Sequence, residues 1–206
     1  MAKLEALVSS IKAEGGTAYA FGVDARKEQE VVDMVQNIES EIGPIEVCVF
    51  NVGANVRFSL LDTTVRVYTK VWEMACLGGF ISGREAAKVM LKRGRGTIIF
   101  TGATASLRGA SGFSAFAGAK HALRGLAQSM ARELGPKGLH VCHVVIDGPV
   151  DTPWIRDTFP GLFEQLKPLD GVVEPDQIAE QYWQLHCQQR GAWTHEMELR
   201  PWMEKW

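Results

Sequence analysis

Between Thr104 and His121 the sequence gathers hydroxyl, amine and imidazole groups into one short stretch: Thr104, Ser106 and Ser114, then Lys120 and His121. Hydroxyls orient a substrate oxygen, a lysine tunes or positions a neighbour, and a histidine titrates near neutrality. His121 and Lys120 are adjacent, and neighbours on a helix point about 100° apart, so the two do not share a face. Upstream, residues 97–101 are a short apolar run closed by Gly102, the pattern of a buried parallel strand. From Phe113 the apolar residues fall at 113, 116, 123, 126, 130 and 134, which is helical spacing. In a doubly wound sheet such a strand-turn-helix junction borders the ligand crevice.

The cysteines and the remaining histidines offer no rival chemistry. Cys48, Cys76, Cys142 and Cys187 are scattered singly, without the close pairs of zinc or redox motifs. Cys48 and Cys142 lie in apolar runs, where a thiol serves as a small hydrophobe. His140 and His143 sit three apart on a predicted strand and face opposite sides.

The elements that must position this stretch alternate along the chain. The spacing predicts a helix over 3–14, stopped by Gly15 and Gly16, and a strand over 17–23 ending at Asp24. A helix over 27–41 is broken by Gly43 and Pro44, and a strand over 45–51 is followed by Gly53. A long helix over 64–92 contains Gly78 and Gly79, which cost about 1 kcal/mol each relative to alanine unless close packing offsets it. Lys92, Arg93 and Arg95 read as its solvated end. After the central strand and helix come a strand over 139–146, a loop with Trp154, Phe159, Leu162 and Phe163 suited to a short helical lid, a helix from Glu174-Pro175 to about 188, and a strand over 193–199. The tail, 201–206, exposes two tryptophans. Strand-helix alternation of this kind predicts a parallel sheet covered on both faces.

Composition narrows the class. The chain has 206 residues, 46% hydrophobic and 22% charged, with a net charge of −2, the make-up of one globular domain spanning residues 1–206. No basic field for nucleic acid is present, and no apolar run is long enough to span a membrane or form a signal peptide. The expected setting is cytoplasmic.

Several motifs in this order resemble the short-chain dehydrogenase/reductase family, NAD(P)-dependent oxidoreductases on a Rossmann-type sheet. The family's Tyr-x-x-x-Lys pair aligns with Phe116-Ala-Gly-Ala-Lys120, and its catalytic serine, 13 residues before the tyrosine, aligns with Ala103. Asn51-Val52-Gly53 is similar to the family's Asn-Ala-Gly turn along the cofactor's adenosine side. Asp24 matches the aspartate that contacts the adenine, while Gly148, Val150 and Thr152 match the Pro-Gly-x-Val-x-Thr segment beside the nicotinamide, with Asp147 in place of the proline.

The resemblance implies NAD or NADP as cofactor, Asp24, Asn51, Gly53, Lys120, Gly148, Val150 and Thr152 as its contacts, and Lys120 as the retained catalytic position, read here as a ribose contact. Thr104, one residue past the serine position, is the best substitute for orienting a carbonyl. Asp24 and Asn51 also suit ordinary strand ends and turns, where they satisfy backbone groups, and Lys120 suits a solvated helix face. No Gly-x-x-x-Gly-x-Gly occurs in the sequence, and residue 1 aligns with the family's second helix. The expected fold is therefore an α/β, Rossmann-like doubly wound parallel sheet lacking the first β-α-β unit, with residues 45–51 as an open apolar edge. The family's asparagine in the long helix aligns with Ala75. Three functions follow: an oxidoreductase with substituted proton-transfer groups, a nucleotide-binding protein without turnover, or an interaction subunit pairing as a homo-oligomer through its two long helices. A substrate would carry an apolar part.

Overall fold

The structure is a computed structural model and describes residues 2–204. A four-stranded parallel sheet in the order β1-β2-β3-β4 forms the centre, built from Val47–Phe50 (β1), Gly96–Thr101 (β2), Leu139–Ile146 (β3) and Glu196–Leu199 (β4). Every residue of β3 is buried, as an internal parallel strand covered on both faces requires. Alternation sorts the side chains: Ile98, Phe100, Leu139 and Val141 face one layer, and Ile99, Cys142, Val144 and Ile146 face the other.

On the first face lie the helices Gly78–Leu91 (α4) and Ser114–Leu134 (α5), which close the core with Ala86, Met90, Leu123 and Ala127. The predicted long helix is observed as Val65–Trp72 (α3), a π-helical turn at Glu73–Leu77, and α4. Thr64 caps α3, its Oγ1 accepting from the Val67 N–H at 3.2 Å. Helix α2, Glu28–Asn37, packs its Val31 and Val35 against Ile81 of α4. The glycine pair is explained by packing: a Cβ on Gly78 would lie 3.4 Å from the Ala25 carbonyl oxygen, and one on Gly79 would lie 2.6 Å from Leu123 Cδ1. Helix α1, Ala2–Ala13, runs ahead of this layer with Leu4 and Leu7 exposed.

The opposite face carries Pro175–Cys187 (α8), whose Ile178, Tyr182 and Leu185 sit on β2 and β3. The segment expected to form a short helical lid is two short helices, Pro153–Thr158 (α6) and Pro160–Leu166 (α7), none of whose residues lines the cleft at the strand ends. Asp151, buried at their base, takes Arg156 Nε and Lys167 Nζ at 2.6 Å each, and Lys167 also pairs with Glu174. That ion cluster ties the lid to the start of α8.

Two expectations need correction. Residues 17–23 form no strand, because a strand exists only within a ladder and no described strand lies alongside them. Arg93 is no solvated helix end: its guanidinium holds Glu39 at 2.7 Å and the Ile45 carbonyl at 2.9 Å, clamping the chain into β1. The tail tryptophan Trp202 is exposed as expected, its indole N–H donating to the Leu169 carbonyl at 2.9 Å, and Trp206 lies outside the described residues. Among the described residues β1 pairs only with β2, and Val49 is 45% exposed, in line with the edge expectation. Among the described residues no helix is long and apolar enough to cross a membrane.

Gly79→Val inserts a branched side chain against Leu123 and Phe50, and overpacking of this kind costs about 2 kcal/mol. Urea denaturation should show that loss, and an unchanged midpoint would contradict this account of the glycine pair.

Candidate functional site

Parallel pairing in register, from Gly96↔Leu139 to Thr101↔Val144, brings the loops after β2 and β3 side by side at the carboxyl end of the sheet. A cleft of about 810 Å³ opens there. Its walls include Asn51 and Gly53 after β1, Thr101 to Ala105 after β2, Phe116 and Lys120 from α5, and Gly148, Val150 and Thr152 after β3. The cleft continues past the strand ends to Val49 of β1 and to Ile178 and Tyr182 of α8.

Of the residues singled out from sequence, Asn51, Gly53, Thr104, Lys120, Gly148, Val150 and Thr152 line this one cleft, as do the substituted positions Ala103 and Phe116. Asp24 is not on its walls. Its carboxylate is gripped by Arg26, Nε at 2.9 Å and Nη2 at 2.6 Å, and this pairing holds its pKa well below the usual carboxylate range. Thr152 has a local task as well, its Oγ1 accepting from the Ile155 N–H at 3.3 Å to cap α6. Gly148 has φ +155°, and a Cβ there would meet Pro201 Cδ at 2.7 Å, so only glycine fits this loop.

Lys120 is 3% exposed, not a solvated helix lysine. Its ammonium donates to the Thr101 carbonyl at 2.7 Å and stands 5.8 Å from the Phe116 ring centroid. Burial pushes its pKa down to about 8. Phe116 therefore leaves the amine beside a ring that holds no exchangeable proton.

The hydroxyls differ sharply in their commitments. Thr104 Oγ1 donates to Asp147 Oδ1. Ser106 is fully buried and accepts from the Ala103 N–H at 3.1 Å, while Ser114 Oγ is buried without a hydrogen-bond partner. His121 is exposed, its ring bonded back to the Ala117 carbonyl at 2.9 Å. Neither Ser106, Ser114 nor His121 is on the cleft wall.

Two features escaped the sequence reading. Asp147, 2% exposed, is the hub of a charged cluster: Arg200 Nη2 pairs with its Oδ2, and Arg108 Nη2 lies 3.6 Å from the same oxygen. Its signals were a charge at the end of the apolar run Val144-Val145-Ile146 and its place where the resemblance puts a proline. Tyr182 reaches the cleft from α8, its hydroxyl 2.8 Å from Thr101 Oγ1. The spacing of Ile178, Tyr182 and Leu185 marked it as inward-facing, without showing what it would meet.

Behind the cleft, His143 is fully buried, donating from Nδ1 to Glu196 at 2.9 Å, and burial pushes its pKa down to about 4. Glu196 is in turn held by Arg124 at 2.6 Å. His140 occupies the other face, stacked on Trp193 at 4.8 Å, as the strand alternation requires. The thiols of Cys48 and Cys142 are pushed up to about 11 and about 12 by burial, the behaviour of packed hydrophobes. No group of three or more His, Cys, Asp or Glu poised for a metal occurs among the described residues.

Comparison with known proteins adds a lineage to this geometry. A family model described as short chain dehydrogenase matches residues 1–161. A short-chain dehydrogenase/reductase of Armillaria gallica is 33% identical over 153 residues, 74% of this chain and 58% of that protein's length. The crystal structure of a short-chain dehydrogenase from Rhodopseudomonas palustris superposes with a TM-score of 0.81 at 50% identity, covering 97% of this chain and 82% of that one. A 7 alpha-hydroxysteroid dehydrogenase complexed with NADH and 7-oxo glycochenodeoxycholic acid shares the fold at a TM-score of 0.86 and 22% identity, covering 96% of this chain and 79% of that one.

The buried Lys120 makes a pH prediction. Its folded pKa, about 8, lies below the unfolded value of 10.5, so between those limits the unfolded chain binds more protons and stability rises with pH. Relative to Lys120→Met, the native chain should gain up to about 3 kcal/mol from pH 8 to pH 10.5 in urea titrations. A parallel pH course for the two proteins would contradict the burial of a charged amine.

Proposed function

We propose that this chain, which belongs to the short chain dehydrogenase family, carries the nicotinamide-ribose and substrate side of an NAD(P)-dependent oxidoreductase site. The observation that supports this reading is the buried Lys120 amine on the wall of a cleft whose other walls are the loops 51–53 and 148–152.

The residues present fit one half of the dinucleotide. An ammonium has three donors, and one of them goes to the Thr101 carbonyl, so Lys120 can also hold ribose hydroxyls. Gly148, Val150 and Thr152 would flank the nicotinamide, and Asn51 and Gly53 would lie toward the adenosine. The pyrophosphate half does not fit: dinucleotide folds hold it on a glycine-rich turn at a helix N-terminus, and no Gly-x-x-x-Gly-x-Gly occurs here. The chemistry supplied by a bound nicotinamide is hydride exchange with a carbinol or carbonyl carbon. Phe116 and Ala103 hold no proton to exchange, so Lys120 would position the cofactor, Thr104 would meet the substrate oxygen, and the proton that a carbinol releases with its hydride would pass to solvent in the open cleft. The walls Phe113, Phe116, Ile146 and Val150 suit a small molecule with an apolar part.

A second reading, an interaction chain without turnover, is favoured by those same two vacant positions and by the exposed apolar residues Leu61, Val65, Tyr68 and Trp72 at and before α3. In it the chain pairs as a homo-oligomer through its long helices. Under either reading the proposed setting is the cytoplasm, where the four free cysteines stay reduced.

Fluorescence titration with reduced nicotinamide mononucleotide and with NADH and NADPH tests the first reading. All three should bind, the dinucleotides no more than about tenfold tighter, equivalent to about 1.4 kcal/mol, and Lys120→Met should weaken all of them by at least about tenfold. Absence of binding by every nucleotide at millimolar concentration would overturn the proposal. Binding without turnover of any alcohol would favour the second reading.

A further inference from the structure

A hydroxyl group has one proton to give. That of Thr104 goes to Asp147 Oδ1, and an ionised carboxylate only accepts, so the direction of this bond is set by its partner. Asp147 is held in place by Arg200, which also bonds Glu198 at 2.8 Å through Nε, with Arg108 3.6 Å away. Thr104 lines the cleft and Asp147 lies buried behind it. Toward the cleft, therefore, Thr104 offers only lone pairs.

This polarity reverses the expectation that Thr104 orients a carbonyl. A carbonyl oxygen beside Thr104 Oγ1 would set one acceptor against another, whereas an alcohol would donate into it. Neighbouring Ala103 and Phe116 supply no side-chain donor at this point, and the donors of Lys120 on the same wall go to the Thr101 carbonyl and, under the cofactor reading, to the ribose. Leaving a buried polar group unpaired costs more than the bond itself contributes, so the discrimination should be measurable.

We infer that Thr104 is a recognition point for a ligand hydroxyl, and that the cleft selects the alcohol over the ketone of the same skeleton, with Asp147 as the positioning residue that sets this preference. The inference rests on reading the cleft as the substrate site. It assigns a substrate class by hydrogen-bond direction: hydroxyl donors, carried on an apolar frame.

The test uses the full chain with labelled threonine methyl groups, titrated with cyclohexanol and with cyclohexanone while the Thr104 methyl resonance is followed. Cyclohexanol should bind at least about fivefold more tightly. Thr104→Ser should keep the preference and Thr104→Val should remove it, both read by competition. Asp147→Asn, whose amide can donate to the threonine oxygen and free its proton, should narrow or invert it. Equal or tighter binding of the ketone to the native chain, or no perturbation of Thr104 by either compound, would overturn the inference. An unchanged preference in Asp147→Asn would overturn the role of Asp147; should that variant fail to fold, the serine and valine pair still decides the role of Thr104. Adding NADH to the same samples separates the two claims. An alcohol preference without nucleotide binding sinks only the cofactor reading, and nucleotide binding without the preference sinks only this one.

Discussion

A hydrogen bond from Thr104 to Asp147 joins the loops that follow the two central strands, and it sets the polarity that Thr104 presents to the cleft. The sheet puts these residues within reach, since β2 and β3 pair in parallel and end level with one another. A carboxylate buried to this extent must be matched by cations and donors, because removing one partner of such a pair costs about 3–5 kcal/mol. Arg200, beyond β4, supplies the match from a segment more than fifty residues away in the chain. The cluster thereby gathers the loop after β2, the loop after β3 and the end of β4 around a single side chain.

Lys120 solves the opposite problem differently. It has a carbonyl partner and an aromatic neighbour but no carboxylate among its described contacts, so its desolvation is met by a lowered pKa. The cleft thus sets a buried anion with several cationic partners near a buried amine with none that is anionic. Phe116, beside that amine, is an apolar ring with no exchangeable proton. The hydroxyl of Thr104 on the same wall is committed to Asp147.

The sheet was legible from sequence because buried parallel strands write themselves as apolar runs: residues 139–146 were read without error, and 97–101 to within one residue of β2. The segment 17–23 reads equally well as a strand, yet strand formation depends on a neighbour, and apolar content cannot supply one. Residues 51, 53, 104, 120, 148, 150 and 152, named through the resemblance, line one cleft because the loops after β1, β2 and β3 and the first turns of α5 meet at the carboxyl end of one parallel sheet. Asp24, named in the same way, is not on the cleft wall, and its carboxylate pairs with Arg26 two residues on. The bond from Thr104 to Asp147 and the arrival of Tyr182 were invisible, being contacts across 43 and 81 residues of chain that no local pattern encodes.

The claim on which this account stands is the direction of the Thr104 hydroxyl, and neutron diffraction from a deuterated crystal of the protein measures it most directly. The account predicts a deuteron on Thr104 Oγ1 aimed at an ionised Asp147 carboxylate, with the threonine lone pairs turned to the cleft. A deuteron on Asp147, or one on Thr104 aimed into the cleft, would contradict it.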